Sequence, residues 1–540
     1  MTVTPQTSNA HGDFRPRLIY YNDGHHFHGK RVEPPVSIQK LRQPVDEVLG
    51  TGVDLLVLGL GYGDVYFHNS KVGRVVGEAK EVWEGYIDWR IMRMVQVARE
   101  KGTDQVHEVI QHGRRNGLKV FPSLRLQDAQ APGADRCGWL RWQHEAAVCH
   151  GVNDPRWPNH QTQWAYDFSN HLVWEDKKAM IREMLVDYEA DGIELDFMFF
   201  PLYFRLEETE AGISEMNRFM EEVRDLVDSI GAQQGRKIPI MARVHADEQA
   251  NLDIGLDVAT WISEGDVDMV VGSERANLID IGMSDQWLPD VATRVGVPAY
   301  YRPPRRIYDH RVGKPDSEMF RALSQSLRYH GWAGIFDGYY PWPFGEREYQ
   351  VLREIGHPEV FERRNKRYML APREGVEGEK TTTPDRQLPA DLVEGEIVTL
   401  KILIADELEH AKAEGELRKP VLSIRFSYFC VEDVIEIRFN ERVLALEKAE
   451  VTDERALRMA TVMAGGMDVQ APFAMSAHFF AFVLELDDIK QGYNVLEIKT
   501  KSREKTAGFT RSVNGVEVRV RYREFERPVG LGVERVSPVK

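Results

Sequence analysis

The stretch DGIELDFMFF (191–200) places two acids inside an otherwise apolar run that directly follows a long amphipathic segment (174–190). A near-continuous apolar run is typical of a strand in a parallel sheet that is covered by helices. Glu194 and Asp196 are two residues apart, so a strand places them on one face. Burying two acids is costly unless they are paired or functional. The stretch therefore predicts a helix-to-strand unit with a candidate site at the strand's end.

The same unit of amphipathic segment and apolar run recurs up to residue 370. Further helices are predicted at 86–100, 104–116, 212–231 and 317–331. Eight such strands favour an α/β fold of the (β/α)8 TIM barrel type over a doubly wound sheet. The predicted strands are RLIYYNDG (17–24), VDLLVLGLGYG (53–63), LKVFPSLRLQD (118–128), DGIELDFMFF (191–200), IPIMARVHA (238–246), VDMVVGSE (267–274), VPAYYRPP (297–304) and AGIFDGYYPW (333–342).

The pattern changes after the barrel. Residues 372–395 are polar, contain Pro and Gly and lack periodicity, which predicts a linker. The runs that follow alternate apolar and polar residues, as half-buried antiparallel strands do, and predict a smaller all-β sandwich that binds carbohydrate or braces the barrel. The predicted domains are a disordered N-terminus (1–13), a catalytic barrel (14–371), the linker (372–395), an accessory β-sandwich (396–525) and a tail (526–540).

Composition excludes several classes of protein. Lys and Arg number 69 and Asp and Glu number 85, so the formal charge is −16, which argues against a dedicated nucleic-acid binder. Cys137, Cys149 and Cys430 are too few for a disulfide framework and fit a reducing compartment. The sequence lacks both a run of about 18 apolar residues and a signal-like start. We expect a cytoplasmic protein that binds neither nucleic acid nor membrane, and its oligomeric state stays open.

A barrel predicts that the active site lies at the C-terminal ends of its strands. Asp196 ends the fourth strand and Glu274 the sixth. Two carboxyl groups facing each other across the mouth are what glycoside hydrolysis needs, because one protonates the leaving oxygen while the other attacks the anomeric carbon or activates water. Asp337, on the eighth strand, is the second choice for the partner acid. The alternative for Glu274 is that it caps the next helix or binds an arginine.

Other polar side chains at the predicted strand ends are candidate substrate-binding groups. An arginine can bind vicinal hydroxyls or a sugar carboxylate through two hydrogen bonds, so several arginines would favour an acidic sugar. Alternatively, Arg125 or Arg243 neutralises buried acids, and Glu194 then forms a structural ion pair with one of them. The candidate substrate-binding residues are Asn22, Asp23, His25, Arg125, Asp128, Glu194, Arg243, His245, Arg302 and Trp342.

Histidines and tryptophans concentrate in segments that follow predicted strands. His25, His26 and His28 follow the first strand, but their spacing does not resemble a standard zinc site, so we predict no metal and no cofactor. The chain also lacks a GxxxxGK[ST] phosphate loop and a GxSxG elbow. The tryptophans of the long segment 129–168 either line a carbohydrate cleft or form a core within the loop. They are Trp139, Trp142, Trp157 and Trp164.

Four pieces of the sequence together resemble a known family. They are YYNDG (20–24), FPSLRLQD (121–128), the segment 166–198 and VVGSE (270–274). Over residues 15–370 they resemble the glycosyl-hydrolase-like, family-10-like group of bacterial (β/α)8 proteins, which is similar to the α-galactosidase and α-amylase-like barrels.

The resemblance implies a glycosidase with a catalytic carboxylate at Asp196, an acid/base at Glu274 and an accompanying β-sandwich. The chain departs from the group at two places. Phe199 and Phe200 stand where the group often has an arginine, and Gln127 replaces an asparagine before Asp128. These departures bear on the substrate class more than on the fold.

The sequence thus predicts a glycoside hydrolase that cleaves oligosaccharides through a carboxylate pair at the barrel mouth. Its expected partner is an oligosaccharide or glycoside, acidic sugars included. Two alternatives stay open: a metal-assisted sugar lyase, isomerase or epimerase that uses the histidines, and a non-catalytic carbohydrate-binding barrel.

Overall fold

The protein folds into two compact units. The computed structural model describes residues 14–25, 27–133, 135–273, 286–304, 315–338, 340, 343–372, 387–453 and 477–523. The first unit holds the described residues up to Ser273 together with Trp287–Arg302 and Gly331–Phe344, and the second unit holds the rest. The predicted N-terminus (1–13), the tail (526–540) and residues 373–386 of the predicted linker lie outside the described residues.

The first unit is built on a closed barrel of eight parallel strands, in which each strand pairs with its successor and the eighth pairs with the first. Each of the eight predicted runs contains one of these strands, so the predicted (β/α)8 barrel is confirmed. In chain order the strands are β1 (Leu18–Asn22), β2 (Leu55–Gly59), β3 (Lys119–Arg125), β4 (Ile193–Asp196), β5 (Ile240–His245), β6 (Met269–Ser273), β7 (Ala299–Arg302) and β8 (Gly334–Gly338).

Helices separate the strands in sequence, and the five predicted helices are present with ends shifted by a few residues. Among the described helices, none is both long enough and apolar enough to cross a membrane. The longer helices are Tyr86–Glu100, Gln105–Arg115, Trp139–Val148, His171–Val186, Thr209–Gln234, Val258–Glu264, Trp287–Arg294, Ser317–Tyr329 and Glu346–Glu354. The shorter ones are Ile38–Leu41, Gln43–Asp46, Glu248–Leu252, Pro358–Phe361 and Leu408–Ala413.

The barrel interior combines a large apolar cluster with charged side chains on three neighbouring strands. The buried cluster draws alternate residues from every strand but β4, including Phe121 of β3 and Met241 of β5. Ser123, Glu194 and Met241 are aligned across β3, β4 and β5, and side chains alternate between the two faces of a strand. Glu194 and Asp196 therefore face the interior, as do Arg125 of β3 and Arg243 of β5.

The second unit contains two antiparallel sheets, which confirms the predicted β-sandwich. Lys366–Leu370 pairs with Ser512–Tyr522, so antiparallel pairing begins before residue 371, where the barrel is predicted to end. The predicted domain boundaries themselves stay a prediction. One sheet holds Lys366–Leu370, Ala390–Asp391, Leu417–Ser427, Glu450–Asp453, Ala477–Val483 and Ser512–Tyr522. The other holds Ile397–Ile404, Val434–Phe439, Arg442–Leu444 and Gly492–Ser502.

A buried carboxylate joins distant parts of the second unit. Asp406 accepts hydrogen bonds from Lys366 Nζ at 2.8 Å and from the hydroxyls of Tyr368 and Tyr522. All four residues are buried. Burial lowers the pKa of Lys366, and the negative charge of Asp406 opposes that fall. The ammonium group therefore depends on this carboxylate, because water cannot replace it.

We predict that Asp406→Ala destabilises the second unit by about 3–5 kcal/mol, because it leaves a buried ammonium group without its counter-charge. Urea unfolding of the full chain, followed by circular dichroism, measures this change. Asp487→Ala is the matched control, since Asp487 is exposed and its ion pair with Lys412 is worth about 1 kcal/mol or less. Equal stabilities of the two variants would contradict the role of Asp406.

Candidate active site

An arginine lies between the two acids of β4. Arg243 Nε is 2.8 Å from Glu194 Oε1, and its Nη2 is 2.6 Å from Asp196 Oδ2. All three side chains are buried. The predicted structural ion pair of Glu194 is confirmed, and of the two arginines left open by the sequence it is Arg243 that forms it. One guanidinium thus balances two carboxyl groups inside the barrel.

Aromatic rings complete the surroundings of this arginine. The guanidinium carbon of Arg243 lies 4.7 Å from the ring centre of Tyr21 and 5.1 Å from that of Phe336. Ring faces attract a cation, which offsets part of the cost of removing the guanidinium from water. Burial raises the pKa of Glu194, and the charge of Arg243 opposes the rise. The position of Arg243 is therefore fixed on several sides.

Asp196 also fixes the backbone where β4 ends. Its Oδ1 accepts the N–H groups of Met198 at 2.9 Å and Phe199 at 3.1 Å. Phe200, next along, has a φ of 57°, so the chain turns sharply here. A carboxylate accepts about four hydrogen bonds, and these two together with Arg243 occupy three of the positions. Among the residues that the structure describes, no further donor occupies the remaining acceptor position of Asp196.

A second carboxyl group with an unusual environment follows β3. Asp128 is buried, and its Oδ1 accepts the N–H of Ala129 at 2.7 Å. Burial and the neighbouring carboxylate of Asp64 raise the pKa of Asp128 to about 7. The guanidinium of Arg141 opposes the rise. The Asp128 carboxyl is therefore part protonated at neutral pH.

Asp64, which follows β2, is a member of the site that sequence reasoning missed. Its Oδ2 lies 2.9 Å from Arg141 Nη2 and accepts the hydroxyl of Tyr166 at 2.9 Å and the N–H of Gly138 at 3.3 Å. These partners come from widely separated parts of the segment after β3. The only signal in the sequence is the acid that ends the glycine-rich LGLGYGD (58–64).

Gln127 also ties the long segment 129–168 to the barrel. Its side-chain amide donates to the backbone oxygens of Tyr166 and Leu202, and its Oε1 accepts the N–H of Tyr166 at 2.8 Å. Trp157 stacks on Phe200 with ring centres 5.2 Å apart and belongs to a core within this segment. Trp142, in contrast, is 38% exposed. The predicted core within the loop is thus confirmed for Trp157, and the carbohydrate cleft stays a prediction.

Two predicted site residues lie away from the Arg243 face. Asn22 Oδ1 accepts the N–H of Gly24 at 3.0 Å, and its amide donates to Glu47, so Asn22 holds the turn after β1. Phe336 belongs to the interior cluster of the barrel, and alternation places Asp337 on the opposite face of β8. Asp337 Oδ1 accepts the N–H of Gly338 at 2.8 Å.

The remaining candidates lie at the strand ends, but the structure describes them unevenly. The guanidinium of Arg125 lies 3.9 Å from the ring centre of Phe199, and the ring of His25 lies 4.9 Å from that of Tyr62. The backbone of His245 is held by the amide of Asn251. Asp23, which follows β1, is buried, and Arg302, the last residue of β7, is half-buried. Glu274 and Trp342 lie outside the described residues.

Histidine chemistry is limited at the described part of the mouth. Burial lowers the pKa of His28 to about 4, and His28 Nδ1 lies 2.9 Å from the backbone oxygen of Gly24. His28 is therefore neutral at neutral pH. Within the residues that the structure describes, no group of three or more His, Cys, Asp or Glu side chains is arranged to hold a metal ion.

Comparison with known proteins finds only distant similarities. No family model matches this chain. No curated protein matches it. The family-10-like resemblance therefore stays a prediction.

Among solved structures, the chain is similar to a Paenibacillus sp. cycloisomaltooligosaccharide glucanotransferase complexed with cycloisomaltoheptaose (10% identity, 93% of this chain and 57% of that one, TM-score 0.34). It is also similar to α-L-fucosidase isoenzyme 2 from Paenibacillus thiaminolyticus (12% identity, 64% and 49%, TM-score 0.42). A third is an α-amylase from Geobacillus thermoleovorans complexed with acarbose (10% identity, 90% and 99%, TM-score 0.37). The chain spans about half the length of the first two. At these scores the barrel assignment stands on the strand pairing of this chain itself.

We predict that Asp128→Asn changes how stability depends on pH. The pKa of Asp128 is about 7 in the folded protein and about 4 in the unfolded chain. The stability that Asp128 contributes is therefore complete below about pH 4 and is lost as the pH rises through about 7. Relative to the unchanged chain, the variant should gain about 2.5 kcal/mol of unfolding free energy between pH 5 and pH 8. Urea unfolding at both pH values measures this difference.

Asp135→Asn is the control for this experiment, because Asp135 is partly exposed and pairs with Lys80 on the surface. Its effect on stability should be the same at both pH values. A pH-independent effect of Asp128→Asn would show that Asp128 titrates normally and would contradict the buried carboxyl pair.

Proposed function

We propose that this protein is a glycoside hydrolase in which Asp196 acts directly on the sugar, as nucleophile or as the base that activates water. The observation that carries the proposal is the Asp196 carboxylate at the C-terminal end of β4, facing the barrel interior and paired with Arg243 at 2.6 Å. Active sites of such barrels lie at this end. A group that must be ionised at working pH benefits from a fixed cation beside it.

Arg243 serves the proposed reaction by holding Asp196 in place. It pairs with both Glu194 and Asp196, and Arg125 of β3 is aligned with Asp196 on the other neighbouring strand. An oxocarbenium-like transition state carries positive charge, and the Asp196 carboxylate, fixed by Arg243, would stabilise that charge.

The partner acid in this proposal is Glu274, which follows β6 and comes directly after Ser273. Ser273 is aligned with His245 of β5 and Arg302 of β7, so the end of β6 belongs to the same rim. Asp337 is not used, because alternation directs it to the other face of β8. Arg125, Asp128 and the remaining rim groups would bind substrate, as would the partly exposed Trp142 of segment 129–168.

Asp196→Asn should lower glycosidase turnover by about 1,000-fold or more while leaving the fold intact, because asparagine keeps the shape but cannot attack or take a proton. Release of reducing ends from an oligosaccharide panel measures turnover, and circular dichroism checks the fold. Asp187→Asn, an exposed acid that pairs with Lys71, is the control. Turnover by Asp196→Asn equal to that of the control would exclude Asp196 from the reaction.

Glu274→Gln should harm substrates unequally. A poor leaving group, such as a sugar hydroxyl, needs a proton from the acid, whereas an activated nitrophenol leaves without one. We expect turnover of oligosaccharides to fall at least about 100-fold and turnover of nitrophenyl glycosides to fall much less. Parallel kinetics on the two substrate types measure the ratio, and equal losses would count against Glu274 as the acid.

A further inference from the structure

Two large aromatic side chains lie exposed at the start of the helix Tyr86–Glu100. Tyr86 is 62% exposed and Trp89 is 39% exposed, although this helix buries Ile91, Met94 and Val95 on its other side. Residues three apart on a helix are neighbours on one face. The two rings form a nearly parallel pair, with centres 6.1 Å apart and planes 23° from each other. Exposed aromatic pairs are uncommon on a surface that binds nothing.

Polar contacts hold this ring pair in place. The hydroxyl of Tyr86 donates to Glu33 Oε2 at 3.0 Å, and Arg90 Nη1 lies 3.0 Å from Glu33 Oε1. The guanidinium of Arg90 also lies 5.7 Å from the ring centre of Tyr86. A ring that is held before a ligand arrives loses little freedom on binding, which favours affinity.

The ring pair is continuous with the end of the barrel where β1 and β2 finish. A Cβ built on Gly29 would lie 3.3 Å from Ile87 and 3.6 Å from His25, so the helix start packs against the segment after β1. Tyr62, which follows β2, donates its hydroxyl to Asp88 Oδ1 at 3.4 Å and lies beside His25. The start of this helix, where Tyr86 and Ile87 are exposed, is therefore packed against the segment that carries His25 at the end of the barrel.

We propose that Tyr86 and Trp89 form an outer binding site for the sugar units of an extended oligosaccharide whose other end enters the barrel mouth. This inference rests on the proposed function and adds its substrate class. Ring faces of this kind pack on the C–H faces of sugar rings, and the distance between them is comparable to one sugar unit.

The charges around the rings favour this occupant. Glu33, Asp88, Arg90 and Arg136 supply both donors and acceptors for hydroxyl groups. A lipid surface would instead favour a basic rim, and here acids flank the rings in a chain whose formal charge is −16. The surface is thus suited to a neutral, hydroxyl-rich chain.

The test uses the full chain carrying Asp196→Asn, so that bound sugars are not cleaved. Isothermal titration calorimetry measures binding of maltohexaose, cellohexaose, xylohexaose and chitohexaose, and of the corresponding disaccharides. We expect at least one hexasaccharide to bind, and Trp89→Ala or Tyr86→Ala to weaken it about 10-fold without changing disaccharide binding. Tyr329→Ala, an equally exposed tyrosine of the second unit, should bind as the parent does.

Equal hexasaccharide binding by all variants would overturn the proposal, and so would failure of every hexasaccharide to bind. The proposal would also be overturned if the chain bound phosphatidylglycerol vesicles in a way that depends on Trp89 and bound none of the sugars. This experiment does not require turnover, so it is separate from the test of Asp196 as a catalytic group. Hexasaccharide binding without any hydrolysis by the unchanged chain would refute the proposed reaction and leave the outer site standing.

Discussion

One guanidinium shared by two carboxyl groups inside the barrel is the constraint on which the rest of the candidate site depends. Arg243 balances Glu194 and Asp196 away from water, where an unpaired charge costs several kcal/mol. Because Asp196 is held by Arg243 on one oxygen and by two backbone N–H groups on the other, the end of β4 and the turn after it are fixed together. The position of the Asp196 carboxylate therefore follows from the packing of neighbouring strands.

A second charged group extends this arrangement to the loops. Asp64 and Arg141 fasten the segment after β3 to the loop after β2. Burial and the negative charge of Asp64 raise the pKa of Asp128 to about 7, against the opposing charge of Arg141. The exposed rings of Tyr86 and Trp89 lie further out, where a long substrate would need support.

Much of the fold follows from the sequence, because eight apolar runs separated by helical segments have few other solutions. The pairing of Glu194 with an arginine could also be predicted, since a buried acid on a strand needs a cation. The choice between Arg125 and Arg243 could not, because both are aligned with Asp196 on the neighbouring strands and only the side-chain positions show that Arg243 contacts the acids. The direction in which Asp337 points could not be predicted either. β8 is short, and only its pairing with β1 shows that Phe336, not Asp337, points inward. Asp64 was missed because its partners lie more than 70 residues away in sequence.

The most direct measurement of the central claim follows the atoms of the reaction. The purified chain is incubated with the hexasaccharide panel in isotopically labelled water, and the products are analysed by mass spectrometry. If the chain is a glycoside hydrolase, each cleavage incorporates one labelled oxygen from water into the products. The Asp196→Asn variant should then form no cleaved products. Products that lack the label and carry a double bond would identify a lyase, and intact sugars with every member of the panel would contradict a hydrolase that cleaves oligosaccharides.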